Sequence, residues 1–163
     1  MSSYVAVVGP GAAATDQDLA DARRAGTLLA AAGVVVVTGG LGGVMGATAA
    51  GVRAGGGTSI GLLPSSRRAD GDPAHHLLLP TGLGELRNAL IIRTADAVLA
   101  IGGSWGTLSE VALAVRSRTP VVALRSWELP PGAVEHAGDI EAAVAAVLRR
   151  AASTDGHEVT NGP

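Results

Sequence analysis

Two stretches of this chain combine glycines with a hydroxyl or a charge at spacings that suit an anion. The first is Thr38-Gly39-Gly40-Leu41-Gly42-Gly43-Val44-Met45-Gly46. Its glycines let backbone approach a ligand, and the helix that follows offers unpaired N–H groups at the positive end of its dipole. The backbone over residues 42–44, with Gly39, Gly40, Gly42, Gly43, Val44 and Met45 nearest the turn, is the predicted first half of a phosphate cradle. The second stretch is Gly102-Gly103-Ser104-Trp105-Gly106-Thr107-Leu108-Ser109-Glu110. Here Gly102, Gly103 and Gly106 flank the Ser104 and Thr107 hydroxyls, and the backbone over 103–107 is the predicted second half. Trp105 reads either as an apolar wall for a base or ribose, or as a ring partly buried against a neighbouring loop. Thr107 and Glu110 also fit a capping box, so Glu110 either caps its own helix or turns to a ligand. Gly9-Pro10-Gly11 is a weaker signal. No third glycine follows at the dinucleotide spacing, and the next strand ends in Thr38 rather than an acid, which argues against a dehydrogenase.

Upstream of the second stretch stands Arg87, near the start of a helix. Helical arginines are ordinarily solvated, and Arg93, on another face, is assigned to the surface. Glu85 lies about 200° around an ideal helix from Arg87, so the two are not expected to share a site. His75 and His76 lack a third ligand for a metal and are read as loop or surface residues.

These residues need a scaffold that brings strand ends together. Apolar runs at 4–9, 34–38, 59–63, 76–79, 97–101 and 120–124 read as buried strands, without the alternation of a half-exposed sheet. Helical stretches at 16–32, 44–54, 84–94, 107–116 and from Asp139 to about Ala151 alternate with them. Thr15 caps the first helix and Gly33 ends it. The polar stretch 65–74, with Arg67, Arg68, Asp70 and Asp72, reads as a mobile loop. The pattern predicts an α/β chain: a Rossmann-like, doubly wound, mostly parallel sheet of about six strands with helices on both faces. It fills one domain over residues 1–152, followed by a disordered tail at 153–163. Ligands of such sheets sit beyond the carboxyl ends of the strands, at the switch point.

Composition narrows the chemistry further. The chain of 163 residues has no cysteine, and all 12 of its basic residues are arginine. Disulfides, cysteine-bound zinc, a catalytic thiol, a lysine Schiff base and a P-loop are thereby excluded. The net charge of −2 and the absence of a basic stripe argue against nucleic acid as a partner. No apolar run approaches the ~20 residues of a membrane span. The start of the chain, Met1-Ser2-Ser3-Tyr4, has no basic n-region, and the expectation is a cytoplasmic protein without a membrane partner.

Taken in order, the stretch 38–46, the triplet Leu86-Arg87-Asn88 and the stretch 102–110 resemble the LOG ("lonely guy") family, often mislabelled lysine decarboxylases. The resemblance spans roughly residues 4–125. With Thr81-Gly82-Leu83-Gly84 ahead of the arginine helix, the chain is more similar to the branch that contains molybdenum-cofactor carrier proteins. The resemblance implies hydrolysis of the N-glycosidic bond of a nucleoside 5′-monophosphate, giving free base and ribose 5-phosphate. Arg87 and Glu110 match the family's catalytic residues, with Gly102, Gly103, Gly106 and Thr107 around them. Ile101 and Asn88 stand where the family has proline and lysine. On this reading no cofactor is required. Glu110 stabilises the charge that develops on the ribose, Arg87 holds phosphate or ribose, and no second carboxylate is identifiable as the acid. The alternative reading is a carrier or sensor that binds a nucleotide-like ligand such as molybdenum cofactor without turnover. The resemblance also implies a homodimer or a homotetramer.

Overall fold

The computed structural model describes residues 2–154, so the predicted tail beyond 154 lies outside the described residues. The chain order is β1 (Tyr4–Val8), α1 (Asp16–Ala31), β2 (Val35–Thr38), α2 (Val44–Ala54), β3 (Thr58–Leu63), β4 (Leu77–Pro80), α3 (Arg87–Arg93), β5 (Ala97–Ile101), α4 (Trp105–Arg116), β6 (Val121–Leu124), β7 (Glu135–His136) and α5 (Ile140–Thr154). Short 3-10 turns occupy Arg68–Asp70 and Gly84–Leu86.

The strands form one seven-stranded sheet in the order β4-β3-β2-β1-β5-β6-β7, with every pairing parallel. The seventh strand corrects the expectation of about six. Glu135 and His136 carry no apolar signal, and β7 exists only through its pairing with Val122 and Ala123 of β6. The order reverses between β1 and β5, which is the switch point of a doubly wound sheet. Alternate residues of β1 point to opposite faces. Val5 and Val7 pack with α1, α2 and α5, while Ala6 and Val8 pack with α3 and α4. Small residues on α1 and α2 serve that first layer. A Cβ on Gly26 would strike the Thr48 carbonyl, and one on Gly51 the Arg23 carbonyl, so the two helices cross in backbone contact.

The helix starts follow their capping signals. Thr15 and Asp18 close a capping box on α1, and Asp139 Oδ1 accepts from Ala142 N–H at the head of α5 (2.8 Å). The segment 65–74, expected to be a mobile loop, carries several hydrogen bonds. Arg67 pairs with Asp70 at 2.7 Å. Arg53, from the end of α2, donates to the carbonyls of Pro73, Ala74 and His75 at 3.0–3.1 Å. No helix among the described residues is long and apolar enough to cross a membrane.

Candidate functional site

The carboxyl ends of β1, β2 and β5 and the start of α3 enclose a cleft of about 350 Å³. One wall is the first turn of α4. Ser104, not Thr107, is its N-cap: the extended backbone of Ser104 lets Oγ accept from the Thr107 N–H at 3.2 Å, and the two hydroxyls lie 2.9 Å apart. The helix therefore opens at Trp105. This corrects the capping-box reading, because Glu110 lies more than a turn inside the helix, too far in to cap it. Ser104, Gly106, Thr107 and Glu110 all line the cleft. The first turn of α4 holds no acid, whereas that of α1 holds Asp16 and Asp18. Positive helix ends attract anions, and acidic residues in the first turn cancel the attraction. The first turn of α2 likewise holds no acid. At α1, Arg125 already answers Asp18 and Asp21, at 3.2 and 2.6 Å.

Facing α4 is Arg87. A solvated arginine is the ordinary outcome at the head of a short helix, but Arg87 is only 7% exposed. Its Nη2 donates to the Gly39 carbonyl (3.1 Å), and its Nη1 donates to Asn88 Oδ1 and lies 3.9 Å from Glu110 Oε1. Its Nε is buried with no hydrogen-bond partner among the described residues. Glu110, also 7% exposed, has its pKa pushed up to about 7 by burial, against the opposing pull of Arg87. Burial likewise pushes the Arg87 pKa down, opposed by Glu110 and Glu85. At neutral pH the cleft thus contains a fixed cation beside a carboxyl group close to its midpoint, the condition in which one group gives and takes protons.

Glu85 corrects a second expectation. It lines the same cleft as Arg87. The separation of 200° holds for a continuous α-helix, but Gly84–Leu86 is a 3-10 turn and Arg87 folds inward behind it. Asn88 also lines the cleft and donates from Nδ2 to Ser109 Oγ at 3.3 Å. The apolar part of the wall is Leu41, Met45 and Pro64.

The turn after β2 contributes less surface than its sequence promises. Met45 lines the cleft, but Gly39, Gly40, Gly42, Gly43 and Val44 do not. The Val44 N–H, expected on a phosphate, is taken by the Pro10 carbonyl at 3.0 Å. Gly43 has φ +66°, and a Cβ there would run into the carbonyls of Pro10 and Gly11. Gly9 lines the cleft, yet its missing Cβ makes room for Val44 Cγ1, which would sit 2.7 Å away. Gly42 differs, since a Cβ there would meet open space.

Gly102, Gly103 and Trp105 lie beside the cleft rather than in its lining. Trp105 is 78% exposed and tilts against Trp127, with ring centroids 5.1 Å apart. Trp127 donates from Nε1 to the Ser104 carbonyl at 2.9 Å and packs on Gly103. It therefore props the loop that leads into α4, a role that no spacing in the sequence signals. His75 lies in the loop ahead of β4, as expected, but is 4% exposed, with Nε2 2.7 Å from Thr38 Oγ1. Burial pushes its pKa down, which favours the neutral ring.

Comparison with known proteins places this geometry among relatives. The model of the SLOG cluster4 family matches residues 2–153. The molybdenum cofactor binding protein of the phototrophic bacterium Rippkaea orientalis superposes with a TM-score of 0.87 at 34% identity, covering 91% of this chain and 97% of that one. The molybdenum cofactor carrier protein of Chlamydomonas reinhardtii superposes with a TM-score of 0.86 at 32% identity, covering 93% and 99%. An uncharacterized protein of Archaeoglobus fulgidus is 38% identical over 114 residues, 70% of this chain and 72% of its own length. These matches bear out the resemblance read from the paired motifs.

Proposed function

The chain belongs to the SLOG cluster4 family, and from that premise we propose that it binds a phosphorylated, ring-bearing small molecule of the molybdenum-cofactor class and carries it intact. The observation that carries this reading is that Arg87, 7% exposed, and the acid-free first turn of α4 line one cleft. Arg87 lines that cleft, and its guanidinium meets an arriving phosphate oxygen with a charge-assisted bond. Ser104, Gly106 and Thr107 meet the same anion from the helix end. Leu41, Met45 and Pro64 suit a flat ring. The volume of about 350 Å³ falls at the lower end of the roughly 300–1,000 Å³ of small-molecule sites. The Rippkaea and Chlamydomonas proteins, named for molybdenum cofactor, support the choice of ligand.

A second reading, hydrolysis of a nucleoside 5′-monophosphate to base and ribose 5-phosphate, is favoured by Glu110. Its pKa of about 7 suits proton transfer at neutral pH, and Glu85 supplies the second carboxylate of the cleft. In this reading Glu110 takes a proton from the water that attacks the ribose C1′ as the bond to the base breaks, the departing base picks up a proton from solvent, and Arg87 holds the phosphate.

One experiment separates the two. Both tryptophans of the chain adjoin Ser104, so intrinsic fluorescence reports occupancy. Titration with molybdenum cofactor, AMP, GMP, CMP and UMP, with chromatography of the bound ligand, is expected to give a saturable signal and an intact ligand. Free base that disappears in Glu110→Gln would establish the hydrolase instead. No saturable signal with any of them would overturn both.

A further inference from the structure

His75 and Thr38 form a buried chain of hydrogen bonds that ends on the peptide holding Arg87. His75 Nδ1 lies 3.0 Å from the Asp72 carbonyl. A carbonyl only accepts, so Nδ1 carries the ring proton. Neutral imidazole then has a bare Nε2, which takes the Thr38 hydroxyl proton at 2.7 Å. The Thr38 oxygen, with its own proton committed, accepts the Gly40 N–H at 3.0 Å. The Asp72 N–H closes the ring by donating to the Gly40 carbonyl at 2.9 Å. With the ring neutral, every proton in this loop has one permitted direction. Arg53 clamps the segment that carries His75 through three carbonyls.

The Gly40 N–H shares a planar trans peptide with the Gly39 carbonyl, and the two point in opposite directions. Fixing the N–H toward Thr38 fixes the carbonyl toward Arg87, whose Nη2 it accepts at 3.1 Å. Gly40 has φ +79° and packs closely on Gly61 and Leu63, a backbone state that favours glycine. We propose that His75, acting through Thr38 and the Gly39–Gly40 peptide, is a positioning residue that sets the pose of Arg87. This rests on the reading of Arg87 as the ligand-binding cation. It assigns a function to a histidine that does not line the cleft.

The test uses a readout that needs no ligand and one that does. Phenylglyoxal labelling of Arg87, read by peptide mass spectrometry, reports how firmly the guanidinium is held. His75→Leu and Thr38→Val are expected to speed labelling at Arg87 about fivefold, the scale of one lost hydrogen bond, with Arg93 unchanged. His75→Gln and Thr38→Ser, which keep an acceptor and a hydroxyl in place, restore slow labelling. Val122→Ala serves as a core variant of comparable melting temperature, and its Arg87 labelling stays slow. Affinity for AMP and inorganic pyrophosphate falls by a similar factor in His75→Leu, but not when Arg87→Ala is already present. Labelling that is unchanged in folded His75→Leu, or that rises equally in Val122→Ala, overturns the proposal. Faster labelling in a protein that binds neither probe would support the positioning role while counting against the ligand reading.

Discussion

In the turn after β2, the bare Cα positions of Gly40 and Gly43 face the Leu63 side chain and the backbone of Pro10 and Gly11. In the turn after β5, that of Gly106 faces an open cleft. Both turns precede a helix, and both read in sequence as phosphate cradles. The first is filled by the protein itself: the Pro10 carbonyl occupies the Val44 N–H, and Arg87 reaches in to the Gly39 carbonyl. The second presents two hydroxyls, an acid-free helix end and the buried Glu110 to the cleft. A glycine-rich turn before a helix therefore signals close approach of something to backbone. Whether that something is ligand or protein depends on what lies beyond each missing Cβ.

The largest break in this comparison is expected from Gly43→Ala. Left-handed backbone combined with collision against two carbonyls should cost at least about 3 kcal/mol, measured as a fall in denaturation midpoint or as loss of folded protein. Glu110→Gln tests the other turn. Because the native pKa of about 7 exceeds the ordinary 4.5, the folded state binds the proton more tightly, and this group makes stability fall as pH rises from about 4.5 to 7. Removing it should leave stability unchanged near pH 4.5 and raise it at pH 8 by up to about 3 kcal/mol, each tenfold difference in proton affinity between the folded and unfolded chain contributing about 1.4 kcal/mol. The pKa of about 7 already includes the opposing pull of Arg87, and urea denaturation across that range reads the gain. Ser104→Ala should cost about 1 kcal/mol through the lost N-cap and weaken the anion site as well. The smallest stability effect is the most telling. Gly106→Ala, placed in a helix with room for its methyl, should stabilise the fold by about 0.5–1 kcal/mol yet lower ligand affinity. Stability and binding would then move in opposite directions, as they cannot in Gly43→Ala.

Much of this arrangement is legible in the sequence because apolar runs, helix caps and glycine turns are local signals. Six strands announce themselves by valine and leucine, and their ends locate the switch point. β7 does not, since Glu135 and His136 are held in the sheet only by their neighbour. In the site, Glu110, Arg87, Ser104 and Thr107 are readable as a constellation. The burial of Arg87 is not, because it depends on a carbonyl contributed by the turn after β2. Glu85 is misplaced by the assumption of a regular helix where a 3-10 turn intervenes. The burial of the loop residue His75 is not legible because its partner Thr38 is distant in sequence and meets it only once β3 and β4 extend the sheet beside β2. Trp127 is silent for the same reason: its partner is a main-chain carbonyl.

The central claim is that Arg87 and the head of α4 hold one phosphorylated ligand between them. Its most direct test is calorimetric titration of molybdenum cofactor into the protein and into Arg87→Ala, with folding of both verified by melting. The account predicts one site per chain in the unsubstituted protein and a loss of affinity of about 10- to 100-fold in the variant, the scale of a charge-assisted hydrogen bond. Equal affinity in the two proteins would contradict it.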